Sequence, residues 1–343
     1  MVQFEYMRKA KLSQRKVKKN QQKEAVKKLK KKKYKIRNWK EYNESLVQRG
    51  SLEFWIKKGI IKKWKVEIID GKGKRRRGSQ EKYSDTAIEL CRLVGKVFHQ
   101  RLRQTEGFVR SIFHMMKISV MVPDYSTLSR RGGALTVQLP RKEKGTVVAI
   151  LDSTGLKVYG EGEWKVRKHG YSKHREWMKV HVSIDADGEI RAMRLTDNSV
   201  DDAQAGEQLL AAQSTDTIEE VAADGAYDKK QFYAVCKKRH IGRILIPPRR
   251  GARIWVHGNQ NGEPHPRDEN LRALRKTTRK KWKQTCGYHK RSKIETTMFR
   301  QKTIFGEKLY SRGFRNQQTE VMLMGKALNM MLYNGMPDSY PVT

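Results

Sequence analysis

Between residues 146 and 246 the spacing of apolar positions changes several times, and the changes outline a mixed α/β sheet. Thr146-Val-Val-Ala-Ile-Leu151 is a short unbroken apolar run, the pattern of a strand buried on both faces. Val180, Val182 and Ile184 alternate with Lys179, His181 and Ser183, which predicts a half-buried strand. Asp187-Gly188 is a hairpin turn signal, and Ile190 to Leu195 returns as the partner strand. A helix follows over 201–212 with Leu209 and Leu210 inward, then a strand over 218–223, a helix over 229–239, and a fifth strand, Ile244-Leu-Ile246, stopped by Pro247-Pro248.

The flanks carry helical spacing. Trp39, Tyr42 and Leu46 fall on one helix face, Gly50 reads as its end, and Ser51 as the cap of a short second helix, so the aromatics of 37–69 predict a small packed helical module. Over 84–140 three helices are expected. Ala87, Ile88, Leu90, Leu93 and Val94 form the apolar face of the first, and Thr105 to Phe113 suggest the second. Pro123-Asp-Tyr-Ser126 starts the third, which ends near Arg130 and Arg131. Three short helices ending in a basic one suit a helix-turn-helix-like DNA-binding region, with generic helical packing as the competing reading. Residues 249–268 are loop-like, and a long helix is expected from there through residue 302. The last helix, near 317–333, is most simply core, and 336–343 are a tail.

Charge changes this picture. The 343 residues hold 75 Lys and Arg against 36 Asp and Glu, a formal charge of +39. Such an excess points to a polyanion, and nucleic acid is the obvious one. Residues 1–36 read as a basic arm, disordered or ordered by DNA, that touches phosphates without reading bases; a nuclear-localisation reading of Lys30 to Lys33 is non-specific. Residues 70–83 are a basic linker. No apolar run is long enough for a membrane span, and no apolar signal segment opens the chain. Cys91, Cys236 and Cys286 form no Cys-x-x-Cys pair, which argues against a disulfide framework or structural zinc.

Three carboxylates stand where chemistry is expected. Asp152 and Asp224 each follow an apolar strand, and ligand sites of α/β sheets gather at the carboxyl ends of strands. Glu295 lies in Tyr288-His-Lys-Arg291-Ser-Lys-Ile-Glu295-Thr-Thr-Met298-Phe-Arg-Gln-Lys302, whose three- and four-residue steps place Tyr288, Arg291, Glu295, Met298 and Lys302 on one helix face. Each acid has a plainer reading: Asp152 and Asp224 as turn caps, Glu295 as an i,i+4 partner of Arg291. Taken together, three hard oxygen donors favour Mg²⁺ or Mn²⁺, as two ions acting on a phosphodiester. Trp164 to Arg175 mixes cations with aromatics, so Lys165, Arg167, Lys168 and Arg175 are candidate DNA contacts, a solvated hairpin being the alternative. His181 is expected to face a hydrogen-bond partner rather than a metal.

These motifs resemble the DDE transposases of prokaryotic insertion sequences, in the branch with a Tyr-Arg-Glu-Lys signature. Tyr288, Arg291, Glu295 and Lys302 match that signature in identity and spacing. Leu151-Asp152-Ser-Thr-Gly155 and Ala223-Asp224-Gly-Ala-Tyr227 resemble the two Asp motifs. Arg37 to Asn43, Arg49 to Leu52 and Leu102-Arg-Gln-Thr-Glu-Gly107-Phe-Val-Arg-Ser111 look like the family-five insertion sequences, related to family four. The resemblance implies an α/β, ribonuclease-H-like catalytic domain over 141–335, with a loop and helical insertion near 249–285, preceded by a basic, mainly helical DNA-binding region. It implies metal-dependent cleavage and strand transfer at terminal inverted repeats and a homodimer on paired ends, in the nucleoid-associated cytoplasm of a prokaryote. In it Tyr288, Arg291 and Lys302 hold transposon-end phosphates. A nuclease of the same fold and a non-catalytic DNA-binding descendant are the alternative readings.

Overall fold

A computed structural model describes residues 33–56, 58–65, 83–143, 145–158, 177–257 and 264–342. Most of the basic arm, most of the 70–83 linker, and Lys165, Arg167, Lys168 and Arg175 lie outside the described residues. The chain divides into two compact units, Met1–Val47 with Gly335–Thr343, and Gln48–Asn334.

In the first unit, β1 (Lys33–Ile36) pairs antiparallel with the C-terminal strand Ser339–Val342, so the expected tail is half of a two-stranded ribbon. Asn38 clamps the junction: its amide donates to the Met336 carbonyl (3.0 Å) and its oxygen accepts from Asp338 N (2.7 Å). Helix α1 (Trp39–Gln48) forms where its spacing predicts, but Ser45 is its buried residue, while Trp39 and Leu46 are exposed. Of the aromatics of this segment, Trp39 lies exposed beside the Tyr42 ring, whereas Phe54 and Trp55 pack edge to face and Trp55 is buried.

The second unit opens with two short helices, α2 (Leu52–Trp55) and α3 (Lys58–Lys62), which contribute the buried Trp55. Helices α4 (Asp85–Val97), α5 (Leu102–Met115) and α6 (Tyr125–Gly132) follow. The Ser84 hydroxyl caps α4 by accepting from Ala87 N, and Asp124 caps α6 by accepting from Ser126 N and Thr127 N. Glu106 joins α5 to α6 by accepting from Tyr125 N (2.8 Å).

The sheet comprises β2 (Val147–Lys157), β3 (Trp177–Ile184), β4 (Ile190–Asp197), β5 (Ile218–Ala222) and β6 (Arg243–Leu245), in the order β4-β3-β2-β5-β6. Strands β2, β3 and β4 pair antiparallel; β5 and β6 run parallel to β2. Helices α7 (Asp202–Ala211) and α8 (Lys230–Lys238) cover one face, where Leu151, Val221 and Phe232 are buried. Ile150, Val182 and Ala222 point to the opposite core.

The long helix expected through residue 302 is interrupted twice. It is α9 (Pro266–Lys276), α10 (Arg279–Thr285), a 3-10 turn at Tyr288–Arg291, and α11 (Ser292–Phe305). Thr277 is extended and Thr278 caps α10, accepting from Lys281 N. Gly287 then takes φ +73°, a left-handed conformation that ends α10 and re-aims the chain. Helix α12 (Phe314–Asn334) packs on β4 and also on α4, so the 84–140 helices share one core with the sheet. The final strand, Ser339–Val342, is β7. Among the described residues no helix is long and apolar enough to cross a membrane.

Candidate active site

Strand pairing brings the first two acids together. The parallel register sets Ile150 opposite Ala222, and β5 stops there. Two residues further on stand Asp152, still within β2, and Asp224, just past the end of β5, near enough for the Asp224 charge to act on Asp152. Asp224 accepts from Ala226 N (2.8 Å) and so starts the 3-10 turn Gly225–Tyr227. Asp224 is thus a turn cap, and the cap uses one oxygen only and does not need the other.

The third acid arrives from α11, and Arg291 ties the set. Its Nη2 donates to Asp152 Oδ2 at 2.7 Å, and its Nη1 to Glu295 Oε1 at 2.8 Å. Asp152 also accepts from Ser153 N (2.9 Å). The Asp152 carboxyl is held above its ordinary value, first by burial; the Arg291 charge opposes this, while Asp224 and Glu295 push it further up. Burial weakens the proton affinity of Arg291, but Asp152, with Tyr288, Asp224 and Glu295, more than restores it. Glu295 itself is largely exposed. Among the described residues no three His, Cys, Asp or Glu side chains are gathered tightly enough to hold a metal ion. One guanidinium does the neutralising between Asp152 and Glu295.

Tyr288 stands apart from the expected phosphate contact. It is buried, its hydroxyl donates to the Ala223 carbonyl (3.1 Å), and burial pushes its pKa up to about 12. Trp282 packs beside its ring. The phenol braces the turn that carries Asp224. Lys302 is half-exposed on α11, two turns beyond Glu295. Arg130 is exposed at the end of α6, whereas Arg131 bonds the Tyr83 carbonyl and Asp85 Oδ1 (2.6 Å), tying α6 to the start of α4.

Two groups near the acids had no role in the sequence reading or only a passive one. Tyr227 is buried with no partner for its hydroxyl among the described residues, and burial, with Asp202, Asp152 and Asp224 nearby, raises its pKa. Its place in Asp224-Gly-Ala-Tyr227 was the available signal. His181 lies on the α7 side of the sheet, where Nε2 contacts Thr196 Oγ1 at 2.9 Å and Nδ1 stands 3.6 Å from Asp202, so it does face a hydrogen-bond partner.

Two family models match this chain. Residues 47–161 match one described as a transposase DDE domain, and residues 143–330 match a second with the same description. The second match alone spans more than half of the sequence and contains Asp152, Asp224 and Glu295. The chain belongs to the DDE transposases.

Proposed function

We propose that this transposase binds the terminal inverted repeats of an insertion sequence of the Tyr-Arg-Glu-Lys branch, cleaves their phosphodiesters, and joins the released ends to target DNA. The observation that carries this reading is the arrangement of Asp152 within β2, Asp224 just past the end of β5, and Glu295 in the first turn of α11 around Arg291. The sheet order, with three antiparallel strands followed by two parallel ones, supports a ribonuclease-H-like fold.

The donor set fits Mg²⁺ or Mn²⁺. All three donors are carboxylate oxygens, and Asp152 is mostly buried near two like charges and already holds a cation, Arg291. Asp152, Asp224 and Glu295 would hold the ions. When bound, such ions activate the attacking oxygen and stabilise the leaving one. The protein's own part is positional. Tyr288 fixes the Asp224 turn through the Ala223 carbonyl. Glu295, exposed in the first turn of α11, has freedom to turn inward. Arg291, on leaving the carboxylates, becomes free to grip a phosphate with two donors. Lys302 adds a point charge two turns along the same helix. Pairing of two ends calls for two copies of the chain on DNA.

The test is replacement of each acid. Asp152→Ala, Asp224→Ala and Glu295→Ala should each abolish cleavage and joining of an end-bearing substrate in Mg²⁺ while DNA binding persists. Near-normal joining by any one variant removes that residue from the site.

A further inference from the structure

Beyond the acids, the second unit contains a cleft of about 330 Å³ between α4, the start of α5 and the segment before α12. Its walls carry an excess of buried positive charge. Lys96 pairs with Glu320 at 2.8 Å, both nearly fully buried, and Glu320 also accepts from Tyr310 N and Ser311 N. That carboxylate is therefore fully engaged. Arg92 is 7 % exposed and bonds the neutral Asn316 Oδ1 (2.6 Å), with no carboxylate in hydrogen-bond contact among the described residues. A buried cation lacking a bonded anion is costly unless a ligand supplies the charge.

A second observation is independent of charge. Thr105 is 1 % exposed, lines the cleft, and its hydroxyl has no hydrogen-bond partner among the described residues. It packs against Gly95, where a Cβ would lie 2.3 Å from the hydroxyl oxygen. At the rim the Arg101 guanidinium lies 3.6 Å over the Tyr310 ring, and Arg312 is exposed beside it. Leu102, Tyr310 and Leu323 supply apolar surface. Leu102 and Thr105 belong to the Leu102–Ser111 motif, which the acid site leaves without a role.

We propose that this cleft binds a nucleotide phosphate, with Arg92 and Arg101 supplying charge, the Thr105 hydroxyl donating to a phosphate oxygen, and the apolar wall receiving the nucleoside. The size suits one nucleotide. The chemistry is shared by a DNA nucleotide and a free mononucleotide. The assignment rests on the transposase reading only for the DNA source.

The experiment uses the full chain without divalent metal, so that it reads binding and not cleavage. Equilibrium dialysis with dAMP and fluorescence anisotropy with a mixed-sequence duplex are run on wild type, Thr105→Val and Arg101→Ala. Thr105→Val removes a hydroxyl but no charge, so general attraction to DNA and its salt slope stay unchanged. A loss of about tenfold in duplex affinity in Thr105→Val, with dAMP competing, identifies a DNA nucleotide. A similar loss for dAMP alone, with duplex affinity unchanged, identifies a free nucleotide. Because Arg101 is exposed, Arg101→Ala keeps the test open should the threonine variant fold poorly; as it also removes one charge, its deciding readout is the loss of dAMP binding. If neither variant changes either affinity, the proposal is wrong. Failure of the acid variants to abolish cleavage would overturn the transposase reading instead and leave these binding results standing.

Discussion

Arg291→Met removes the guanidinium that bonds Asp152 and Glu295 together while roughly preserving side-chain volume. The two arms differ in strength. Arg291 and Asp152 are each less than one-fifth exposed, so their charges attract by about 4 kcal/mol at an effective dielectric near 20, part of which offsets desolvation. Breaking such a pair costs about 3 kcal/mol. Glu295 is 60 % exposed and adds no more than about 0.5 kcal/mol. The cost depends on pH. Asp152 already holds its proton more tightly folded than unfolded, so stability falls as pH rises above the ordinary carboxylate value. Without Arg291 that carboxyl moves higher still, and a protonated Asp152 needs no cation. The difference between variant and wild type should therefore be small near pH 4 and reach about 3 kcal/mol at neutral pH. Urea unfolding followed by tryptophan fluorescence in EDTA, across that range, measures it. A difference that is constant with pH would show that Arg291 acts by packing and not by charge. A Mn²⁺ titration adds an independent check: the variant should bind the ion more tightly than wild type, because no guanidinium competes for Asp152.

Three further outcomes are expected. His181 is buried and neutral, its pKa lowered to about 4 by burial, so wild type should lose about 3 kcal/mol of stability as pH falls from about 6.5 through about 4; His181→Gln should flatten that part of the urea-derived profile, and an unchanged profile would be contrary to this account. Gly206→Ala places a Cβ 2.7 Å from the Tyr227 ring and 2.9 Å from Phe232; overpacking of about 1–3 kcal/mol exceeds the gain in helix propensity of about 1 kcal/mol, so the variant should unfold at lower urea, and a stabilised variant would contradict the packing. Lys302→Ala should slow single-turnover cleavage of specific ends more than it weakens overall DNA affinity, since one cation among 75 contributes little to bulk attraction; equal losses would make Lys302 part of the general basic surface.

The sheet was legible because its strands advertise themselves by period. The run from Thr146 to Leu151 predicted β2, and Val180 to Ile184 predicted β3, since burial on two faces and on one face leave different patterns. The continuation of β2 through Ser153, Thr154 and Gly155 was not legible. Those residues are held by antiparallel pairing, with Asp152 opposite Val182 and Lys157 opposite Trp177, and backbone pairing leaves no apolar trace. Asp152 is thus at the edge of the parallel ladder yet inside the antiparallel one. At Tyr288 to Lys302 the expected continuous helix is broken. Helical spacing resumes after Gly287, but one left-handed residue turns Tyr288 into the core, which period counting does not detect. Arg131 shows a similar limit: a cation at a helix end has the same signature whether it meets phosphate or, as here, the neighbouring helix start.

Asn329 of α12 has a consequence for how this chain survives its own synthesis. Strand β4 is an edge of the sheet, and Asn329 answers its Ile190 from both sides, accepting from the N–H (2.8 Å) and donating to the carbonyl (2.9 Å). Its amide also reaches the Pro140 carbonyl. An open edge strand offers its backbone to any other chain. Because α12 follows the whole sheet in sequence, β4 is made long before the residue that closes its end. Chains cut short before Asn329 should therefore pair through β4 with one another and aggregate, however intact their acids.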